Sequence, residues 1–434
     1  MLREKSETIY QKSCAAIPGG VNSPVRAFGG LGLSPLIVES GNGALIKDVD
    51  GHTFIDYCLS WGPMILGHAD RAVQDAVCRQ MAKGSSFGIA TESELRLAEK
   101  IISFFCSIEK IRFVSSGTEA TMTAIRLARA FAQKPKIIKF IGHYHGHHDA
   151  LLVQAGSGVS SLNPTATSKG VYPGAISDTL LFSFNDLETL RSFFRTNPMA
   201  GQVAAVIVEP VAGNMGVVPP VSGFLEMLRE ETSRVGALLI FDEVMSGFRV
   251  AAGGAQSLFG IDPDLTCLGK VIGGGFPVAA VGGKAEIMDC LAPLGQVYQA
   301  GTLSGNPVAM EAGLATLSIL EKPDFYKTLF AKTDRLVAPI QEAIERLQVK
   351  ACVQKVGSMF TLFLGVKSVK NKLDAASLNQ EAFANLFRFL FERGVYIPPS
   401  SQEAWFLSSA HSEEQIDYTS RLIIEFLENE AKNL

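Results

Sequence analysis

The sequence has no long apolar run and no concentration of charge of one sign. No stretch approaches the roughly 20 consecutive apolar residues that a membrane-spanning helix needs. The first residues, MLREKSETIYQKSCAAIPGG, lack the apolar core of a signal peptide. The 39 basic and 43 acidic residues are dispersed and leave a formal charge of −4. We therefore expect a cytoplasmic protein that contacts neither a membrane nor a nucleic acid.

Cysteine and charge are both scarce. The seven cysteines are scattered, odd in number and never spaced as C-x-x-C, so the sequence indicates neither a disulfide framework nor a zinc site. Charged residues make up 19% of the chain and hydrophobic residues 47%, which is typical of a compact globular protein with little disorder. A chain of 434 residues is long enough for two or three structural units.

Helix-period segments alternate with short apolar runs from about residue 67 onward. We predict helices at residues 93–105 and 118–131. We predict buried strands, continuous in Val, Ile and Leu, at 137–141, 203–208 and 237–241. Buried strands separated by helices predict an α/β fold in which helices cover a mostly parallel sheet.

The two ends of the chain indicate a second structural unit. Two strand-like runs, 35–39 and 44–48, flank the pair Asn42-Gly43, which favours a hairpin turn. Helical patterns return after residue 321, with strands predicted at 351–356 and 359–364. We expect an N-terminal segment (1–60) that packs with a smaller α+β C-terminal domain (322–434), and a large domain between them (61–321).

A long polar segment interrupts the large domain. Residues 155–177, AGSGVSSLNPTATSKGVYPGAIS, are rich in glycine and serine and carry a single charge. Loops of this length without secondary structure of their own are usually lids or disordered segments. We expect this segment to be a lid over a functional site.

The segment SSGTEA, at 115–120, is the first of three that carry chemistry. It directly precedes a helix pattern, where free backbone N–H groups and the helix dipole suit a phosphate. An ordinary helix cap, Ser or Thr followed by Glu, explains the same residues. Taken alone, the segment favours the cap.

The other two segments contain an aspartate at a strand end and a lysine in an apolar setting. Asp242 directly follows the apolar run ALLIF and lies at the carboxyl edge of the predicted sheet, where ligands of such folds bind. Lys270 lies in LGKVIGGGFP, where burial of an ammonium is costly. It is either a lysine that reaches water from a glycine-rich turn or the nucleophile of Schiff-base chemistry. The three segments together favour a pyridoxal-phosphate site, in which Asp242 keeps the pyridine nitrogen protonated.

These segments resemble the class III aminotransferase family, which has the aspartate aminotransferase fold (fold type I). The likeness is closest to the branch that converts glutamate 1-semialdehyde into 5-aminolevulinate. It is continuous from about residue 17 to residue 310 and weaker beyond, where ERGVY and PSSQEAWF still fit. The strings that carry it are GGVNSPVRAFGG, SWGPMILGH, SSGTEATMTAIRLARA, YHGHHD, VEPVAGNMG, FDEVMSGFRV, CLGKVIGGGFPVAAVGG and YQAGTLSGNPVAM.

The resemblance implies a role for each matching residue. Lys270 would hold pyridoxal 5′-phosphate as a Schiff base and Asp242 would pair with its ring nitrogen. The remaining cofactor contacts would come from Ser116, Gly117, Thr118, Tyr144, Asn214 and, from the other subunit of a homodimer with shared active sites, Thr302. The substrate would meet Arg26 as a bidentate carboxylate clamp, Trp61, Ser157 on the lid, and Glu403 near its amino groups.

The implied reaction is an isomerisation in tetrapyrrole (porphyrin) biosynthesis. It moves an amino group from C2 to C1 of glutamate 1-semialdehyde, starting from the pyridoxamine 5′-phosphate form and passing through diaminovalerate. Lys270 would move the protons, and the lid at 155–177 would retain the intermediate. Glutamyl-tRNA reductase is the implied channelling partner.

Three other interpretations compete with this assignment. The run from His143 to His148 suggests a metal site, but a closed site needs ligands fixed around one point. This run follows a strand, and the resemblance uses it to aim Tyr144, so we expect no metal. His143 also replaces the small residue, often Cys, that relatives carry beside Tyr144. An ω-aminotransferase of the same family would share Lys270 and Asp242. A non-catalytic sensor with this fold is disfavoured because the lysine is present.

Overall fold

The computed structural model describes residues 2–154 and 165–430. The chain forms two compact units. Unit 1 consists of residues 1–71, 323–369 and 373–434, and unit 2 of residues 72–322 and 370–372. The domain boundaries expected from the sequence, after residues 60 and 321, stay predictions.

The strands of the described residues are short and bounded by turns. In chain order they are β1 (Val38–Asn42), β2 (Leu45–Asp48), β3 (Thr53–Asp56), β4 (Lys110–Val114), β5 (Lys136–Ile141), β6 (Val153–Gln154), β7 (Thr165–Ala166), β8 (Thr179–Ser183), β9 (Val203–Val208), β10 (Leu238–Glu243), β11 (Leu265–Leu268), β12 (Ala279–Gly283), β13 (Ala351–Val356), β14 (Met359–Leu364), β15 (Val395–Tyr396) and β16 (Trp405–Phe406).

The helices alternate with these strands. In chain order they are α1 (Glu4–Ala16), α2 (Arg71–Met81), α3 (Glu92–Ile102), α4 (Gly117–Ala132), α5 (Pro173–Ile176), α6 (Leu187–Thr196), α7 (Phe224–Val235), α8 (Gly254–Phe259), α9 (Ala285–Met288), α10 (Pro307–Leu320), α11 (Phe325–Leu347), α12 (Lys372–Ala376), α13 (Gln380–Phe391) and α14 (Glu413–Glu430).

The sheet of unit 2 has the order β4-β12-β11-β10-β9-β5-β8. The pairs β10–β11, β10–β9, β5–β9 and β5–β8 are parallel, and β12 runs antiparallel to both of its neighbours. Every residue of β9 and β10 is buried, as expected for strands covered on both faces. The predicted α/β fold with a mostly parallel sheet is confirmed. The carboxyl ends of β4, β5, β9, β10 and β11 meet at one edge, because β12 is antiparallel to both β4 and β11. These strand ends and the segments that follow them carry most of the predicted cofactor residues.

Unit 1 contains a four-stranded sheet, β1-β2-β3-β15, and a three-stranded sheet, β13-β14-β16. Strand β15 pairs in parallel with β3, with Val395 opposite Ile55, so the two ends of the chain share one sheet. Helices α11 and α14 pack against each other. This mixture of antiparallel strands and helices is the smaller α+β unit that the sequence predicts.

Most predicted elements coincide with observed ones. The strands predicted at 203–208, 351–356 and 359–364 match β9, β13 and β14 residue for residue, and the hairpin around Gly43 is present with Asn42 opposite Leu45. The first strand of this hairpin was predicted three residues too early. Its predicted range began at Pro35, which has no N–H to donate to a ladder.

The predicted lid at 155–177 needs a correction for the part that the structure describes. Residues 165 and 166 form β7, which pairs with β6, and Pro173–Ile176 forms α5. Ile176 packs with Val153 and Leu181 in a small apolar cluster. The second half of the segment is therefore not a structureless loop. Residues 155–164 lie outside the described residues.

Within residues 2–154 and 165–430, no helix combines the length and the apolar character that crossing a bilayer requires.

Candidate functional site

Asp242 lies near the carboxyl end of β10 and is buried. Its Oδ2 lies 2.7 Å from Nδ1 of His145, also buried, and its Oδ1 accepts a hydrogen bond from the N–H of Val244 at 3.1 Å. Burial raises the pKa of Asp242 to about 7, although the Val244 N–H, Lys270 and Lys139 act in the opposite direction. An ionised Asp242 makes Nδ1 of His145 the donor. A cation at this edge of the sheet would favour the ionised form.

Lys270 follows the neighbouring strand, β11, after a single glycine. Asp242 is paired with Cys267 across β10 and β11, so the lysine begins three residues beyond the position opposite the aspartate. Its backbone is left-handed, with φ of 48°. Residues other than glycine adopt this conformation only under local constraint. Strain of this kind concentrates at functional sites. The side chain is half-buried and acts electrostatically on Asp242.

The segment 115–118 forms the start of α4, and its helix cap is present. The Oγ of Ser116 accepts from the N–H of Glu119, while Oε2 of Glu119 accepts from the N–H groups of Ser115 at 2.6 Å and Ser116 at 3.0 Å. The cap therefore occupies the polar groups of Ser116. The N–H groups of Gly117 and Thr118 are first-turn groups of a 16-residue helix, and the helix dipole points at them.

Gly146 allows the chain after β5 to approach this helix start. Its φ is 81°, and a Cβ placed on it would lie 2.4 Å from Oγ1 of Thr118 and 2.6 Å from its Cα. The Oγ1 of Thr118 lies 3.1 Å from Nδ1 of His147 and accepts from the His147 N–H at 3.3 Å. A larger residue than glycine would push the two segments apart.

Glu209 joins the predicted residues Tyr144 and Asn214. Its carboxylate accepts from the Tyr144 N–H at 2.7 Å, from the Gly213 N–H at 2.8 Å, and from Nδ2 of Asn214 at 3.1 Å for both oxygens. Burial and the nearby Asp242 raise the pKa of Glu209 to about 7, against the lowering by these donors. The side chain of Tyr144 is left 52% exposed, free to cover a planar ligand.

The histidine run spreads over several separate contacts. Nδ1 of His143 accepts from the Glu209 N–H at 3.0 Å, so its proton lies on Nε2. His145 contacts Asp242, His147 contacts Thr118, and the pKa of His148 is lowered by burial, Arg126 and Arg129. Among the residues with described positions, no group of three or more His, Cys, Asp or Glu is arranged to hold a metal ion.

Among the described residues, one predicted cofactor residue is not joined to this cluster. Thr302 lies exposed on the loop before α10. Ser157 lies outside the described residues. The prediction that the partner subunit uses Thr302 remains a prediction.

Unit 1 holds the predicted substrate residues Arg26, Trp61 and Glu403. Arg26 is exposed, and Trp61 and Glu403 are half-buried. All three act on the buried thiol of Cys58, whose pKa is raised well above its ordinary value by burial, by Asp56 and by Glu403, against the lowering by the Trp61 backbone and by Arg26. The three predicted residues therefore act on one buried thiol of unit 1.

The turn that carries Trp61 is strained. Leu59, Ser60 and Trp61 have φ of 46°, 56° and 69°, whereas left-handed conformations of non-glycine residues cost about 1–2 kcal/mol each. Asp56 offsets this strain, because its Oδ1 accepts from the N–H groups of Cys58 and Leu59 and its Oδ2 lies 2.8 Å from Nε2 of His68.

Several residues of these two clusters are not predicted from the sequence. In unit 2 they are His145, Glu209 and Lys139, and in unit 1 they are Cys58 and Tyr396, a tyrosine that stacks on Phe28 with ring centroids 5.9 Å apart. A charged residue within an apolar strand, as Lys139 is in KIIKFI, is a signal that the sequence does contain. The pairing of His145 with Asp242 joins residues 97 positions apart, and no local pattern predicts it.

Comparison with known proteins identifies the family. The sequence model described as "Aminotransferase class-III" matches residues 31–421. A glutamate-1-semialdehyde 2,1-aminomutase of Protochlamydia amoebophila is 53% identical over 426 residues, covering 98% of this chain and 99% of the relative.

Two solved structures are similar along nearly the whole chain. A transaminase with PLP bound has 32% identity and a TM-score of 0.88, covering 100% of this chain and 99% of its own. A glutamate-1-semialdehyde aminomutase from Pseudomonas aeruginosa has 28% identity and a TM-score of 0.88, covering 98% and 95%. The match to the family model and the full-length relative agree with the geometry at the sheet edge: the chain belongs to the class III aminotransferase family.

Proposed function

We propose that this protein is an isomerase that converts glutamate 1-semialdehyde into 5-aminolevulinate by moving an amino group within one substrate molecule. The observation that carries this function is the 53% identity, over nearly the whole of both chains, to a relative with that name. Fold similarity alone does not discriminate, because a transaminase and an aminomutase have the same TM-score of 0.88. The reaction supplies the precursor of tetrapyrroles.

The residues at the sheet edge fit pyridoxal 5′-phosphate. Asp242, a buried carboxylate with a raised pKa, offers a partner for the ring nitrogen. Lys270, beyond the end of the adjacent strand, offers an amine for the aldehyde. The capped start of α4 offers N–H groups for the phosphate. When bound, the cofactor supplies an electron sink and carries the amino group between its aldehyde and amine forms.

Lys270 is the proposed catalytic residue in this arrangement. Its amine anchors the cofactor and, when free, moves protons between carbon atoms within its reach. Asp242 holds the ring nitrogen in its protonated form, supported by the 2.7 Å contact with His145.

The other cofactor residues orient the ring and the phosphate. Gly117 and Thr118 donate N–H groups to the phosphate, with Ser116 acting as their helix cap. Tyr144 covers the ring face, and Asn214 fixes the carboxylate of Glu209 that positions Tyr144.

The substrate residues are proposed from unit 1. Arg26 binds the substrate carboxylate, Glu403 interacts with amino groups, and Trp61 lines the pocket from its strained turn. Ser157 completes the set from the lid. The charges of Arg26 and Glu403 act in opposite directions on Cys58, as expected for a place that receives a substrate with both an acidic and a basic group.

We further propose a homodimer in which the partner subunit's Thr302 reaches the phosphate. The loop that carries Thr302 and the segment near residue 85 are joined by a hydrogen bond from Asn306 to the Ser85 carbonyl at 2.8 Å. Both expose large apolar side chains, which single-subunit proteins rarely cluster; they are Phe87, Ile89, Tyr298 and Leu303.

Cytoplasmic location and a channelling partner complete the proposal. The seven cysteines are all free thiols, which suits a reducing compartment. Glutamyl-tRNA reductase is the proposed partner, because an aldehyde that carries its own amine reacts readily with itself, and direct transfer would limit that loss.

A direct assay separates this function from an ω-aminotransferase. The purified protein, loaded with the amine form of the cofactor, is given glutamate 1-semialdehyde without any second amino donor or keto acceptor. Repeated turnover to 5-aminolevulinate is the expected result. Diaminovalerate released to one equivalent per site, with more released only after an amino donor is added, would instead identify an intermolecular aminotransferase.

A further inference from the structure

A lysine is buried within the sheet behind the proposed cofactor site. Lys139 lies on β5 with only 4% of its surface exposed, and its Nζ donates to the Leu151 carbonyl at 2.8 Å. Ammonium groups are rarely buried to this extent unless an anion compensates the loss of hydration. The roles assigned above do not use this residue.

The anions that act on Lys139 are the carboxylates of Glu209 and Asp242, and the strand register places the lysine on their face of the sheet. Lys139 comes one residue after the pair Ile138–Val206, level with Ile207 and Ile240, and Glu209 and Asp242 follow those two residues by two positions each. Burial lowers the pKa of Lys139 to about 8, while Glu209 and Asp242 act to raise it. The effect is mutual, since Lys139 lowers the pKa of Asp242. Each carboxylate is itself fixed, Glu209 by three N–H donors and Asp242 by Val244 and His145.

The other titratable groups around this cluster are neutral, apart from Lys270. The pKa values of His143 and His145, on the turn after β5, lie well below the ordinary value because both are buried and because Lys139 is near. The thiol of Cys267 on β11 has a pKa raised by burial and by Asp242. Tyr144, whose pKa is raised by burial and by Asp242, keeps its proton. Lys139 and Lys270 are thus the cations of a cluster that contains two buried carboxylates.

We propose that Lys139 is a positioning residue, which supplies a buried positive charge that favours the ionised forms of Glu209 and Asp242. It touches neither substrate nor cofactor and acts through the carboxylates. The Leu151 carbonyl holds the ammonium in place, so the charge is fixed before the cofactor binds. The inference rests on the proposed function, because it is the ring nitrogen that requires an ionised Asp242.

Removal of Lys139 takes this countercharge from two buried carboxylates, of which Asp242 already raises the pKa of Glu209. Like charges in a buried site raise the pKa of the pair, so a proton remains on it at higher pH. A larger fraction of Asp242 is then neutral near pH 7. Its interaction with the protonated ring nitrogen therefore weakens as the pH falls.

The test is Lys139→Met in the holoenzyme, with the absorbance of the bound cofactor followed across pH in the absence of substrate. We expect the acidic midpoint to move upward by about one pH unit, and the acidic limb of kcat/KM to follow it. Thr179→Val is the matched control. The Oγ1 of Thr179 donates at 2.7 Å to the carbonyl of Ala150, the residue before Leu151, and carries no charge. An unmoved midpoint in Lys139→Met, or an equal shift in Thr179→Val, overturns the proposal.

A charge-balanced pair of variants keeps the test decisive if Lys139→Met does not fold. Glu209→Gln alone should lower the acidic midpoint, and addition of Lys139→Met to it should return the midpoint toward that of the wild type. Equal midpoints in the single and double variants would show that the charge of Lys139 does not affect the titration of the bound cofactor. Because the titration uses no semialdehyde, it stays readable even if the proposed isomerase activity fails its own assay.

Discussion

Two buried aspartates, one in each unit, support the two groups of proposed site residues in different ways. Asp56 in unit 1 accepts two backbone N–H groups and contacts His68, all within 12 residues along the chain. Asp242 in unit 2 has one backbone donor and a histidine 97 residues away, and its pKa is raised to about 7. The oxygens of Asp56 are occupied by the contacts that hold its turn, whereas Asp242 can accept a further hydrogen bond and pair with a cation.

The comparison separates two ways of building a site. Unit 1 stores strain in three left-handed residues and balances it with local hydrogen bonds, so its chemistry depends on backbone geometry. Unit 2 buries ions and balances them through long-range contacts, so its chemistry depends on charge. Substitutions should therefore affect stability first in unit 1 and activity and pH dependence first in unit 2.

The largest expected effect is that of Lys270→Ala on turnover. Loss of the amine removes the proposed anchor and proton carrier, and we expect 5-aminolevulinate formation to fall by roughly 10³-fold or more. Thermal unfolding of the cofactor-free variant should change little. Lys284→Ala serves as the control, because Lys284 lies on the surface with its Nζ 3.2 Å from Asp264. Unchanged activity in Lys270→Ala would refute the catalytic assignment.

Asp56→Ala should have the largest effect on stability. Its two backbone partners and His68 would lose a buried acceptor, and we expect a loss of about 2–4 kcal/mol in the free energy of unfolding by urea. KM for the semialdehyde should rise because Trp61 loses its fixed turn.

Asp48→Ala is the matched control for this variant. Asp48 is also buried and accepts from the N–H groups of Asp50 and His52 and contacts His52 Nδ1 at 3.0 Å. It should cost similar stability without changing KM. An equal rise of KM in both variants would mean that general destabilisation, not the turn, controls substrate binding.

The raised pKa of Glu209 predicts a pH dependence of stability in the cofactor-free protein. The folded state releases this proton only near pH 7, whereas the unfolded chain releases it near its ordinary value of 4.5. Between these values the unfolded state binds fewer protons, so wild-type stability should fall relative to Glu209→Gln as pH rises, by up to about 1.4 kcal/mol per pH unit. Above about pH 7 the difference should be constant.

Glu231→Gln provides the control for that slope. Burial opposes ionisation of Glu231, but Arg195 and Arg234 lower its pKa below the ordinary value of 4.5. Its contribution is complete above that value and is lost only as pH falls through the lowered pKa, so this variant should differ from the wild type by a constant amount over the same range. If the stability difference between the wild type and Glu209→Gln did not change with pH, burial would not raise the pKa of this carboxylate.

The smallest effect expected is the difference between Gly146→Ala and Gly170→Ala. Both glycines have positive φ, 81° and 91°, but a Cβ on Gly146 meets the backbone of Thr118 while a Cβ on Gly170 meets nothing within 4 Å. We expect Gly146→Ala to be less stable than Gly170→Ala by about 1–2 kcal/mol and to bind pyridoxal phosphate more weakly. Equal behaviour would show that the helix start can move without loss.

Much of the fold was predictable because local pattern and burial agree. The strands β9, β13 and β14 and the helices α3 and α4 were found from periodicity within a few residues. The errors lie where backbone chemistry overrides composition. Pro35 was included in a strand, and the glycine- and serine-rich segment was predicted to be structureless although Ile176 anchors part of it to the sheet.

The recognised motifs name the residues of the proposed site but not the residues that contact and support them. Lys270, Asp242 and the segment 115–118 stand in motifs whose residue types state their chemistry. Lys139, His145 and Glu209 were missed because their importance depends on which groups face them across the sheet, and burial decides their charges. The functional phosphate interpretation and the helix cap also prove to be compatible, since Ser116 forms the cap while Gly117 and Thr118 keep their N–H groups.

The sequence alone determined the family, the alternation of buried strands and helices, and the residues able to perform amine chemistry, because these depend on local side-chain type and spacing. Only the tertiary structure decided that Asp242 pairs with His145, that Lys139 is buried where it acts on two carboxylates, and that Asp56 holds the left-handed turn that contains Trp61. These are contacts between distant segments or unusual backbone conformations, and their energies arise from burial and charge in the folded molecule.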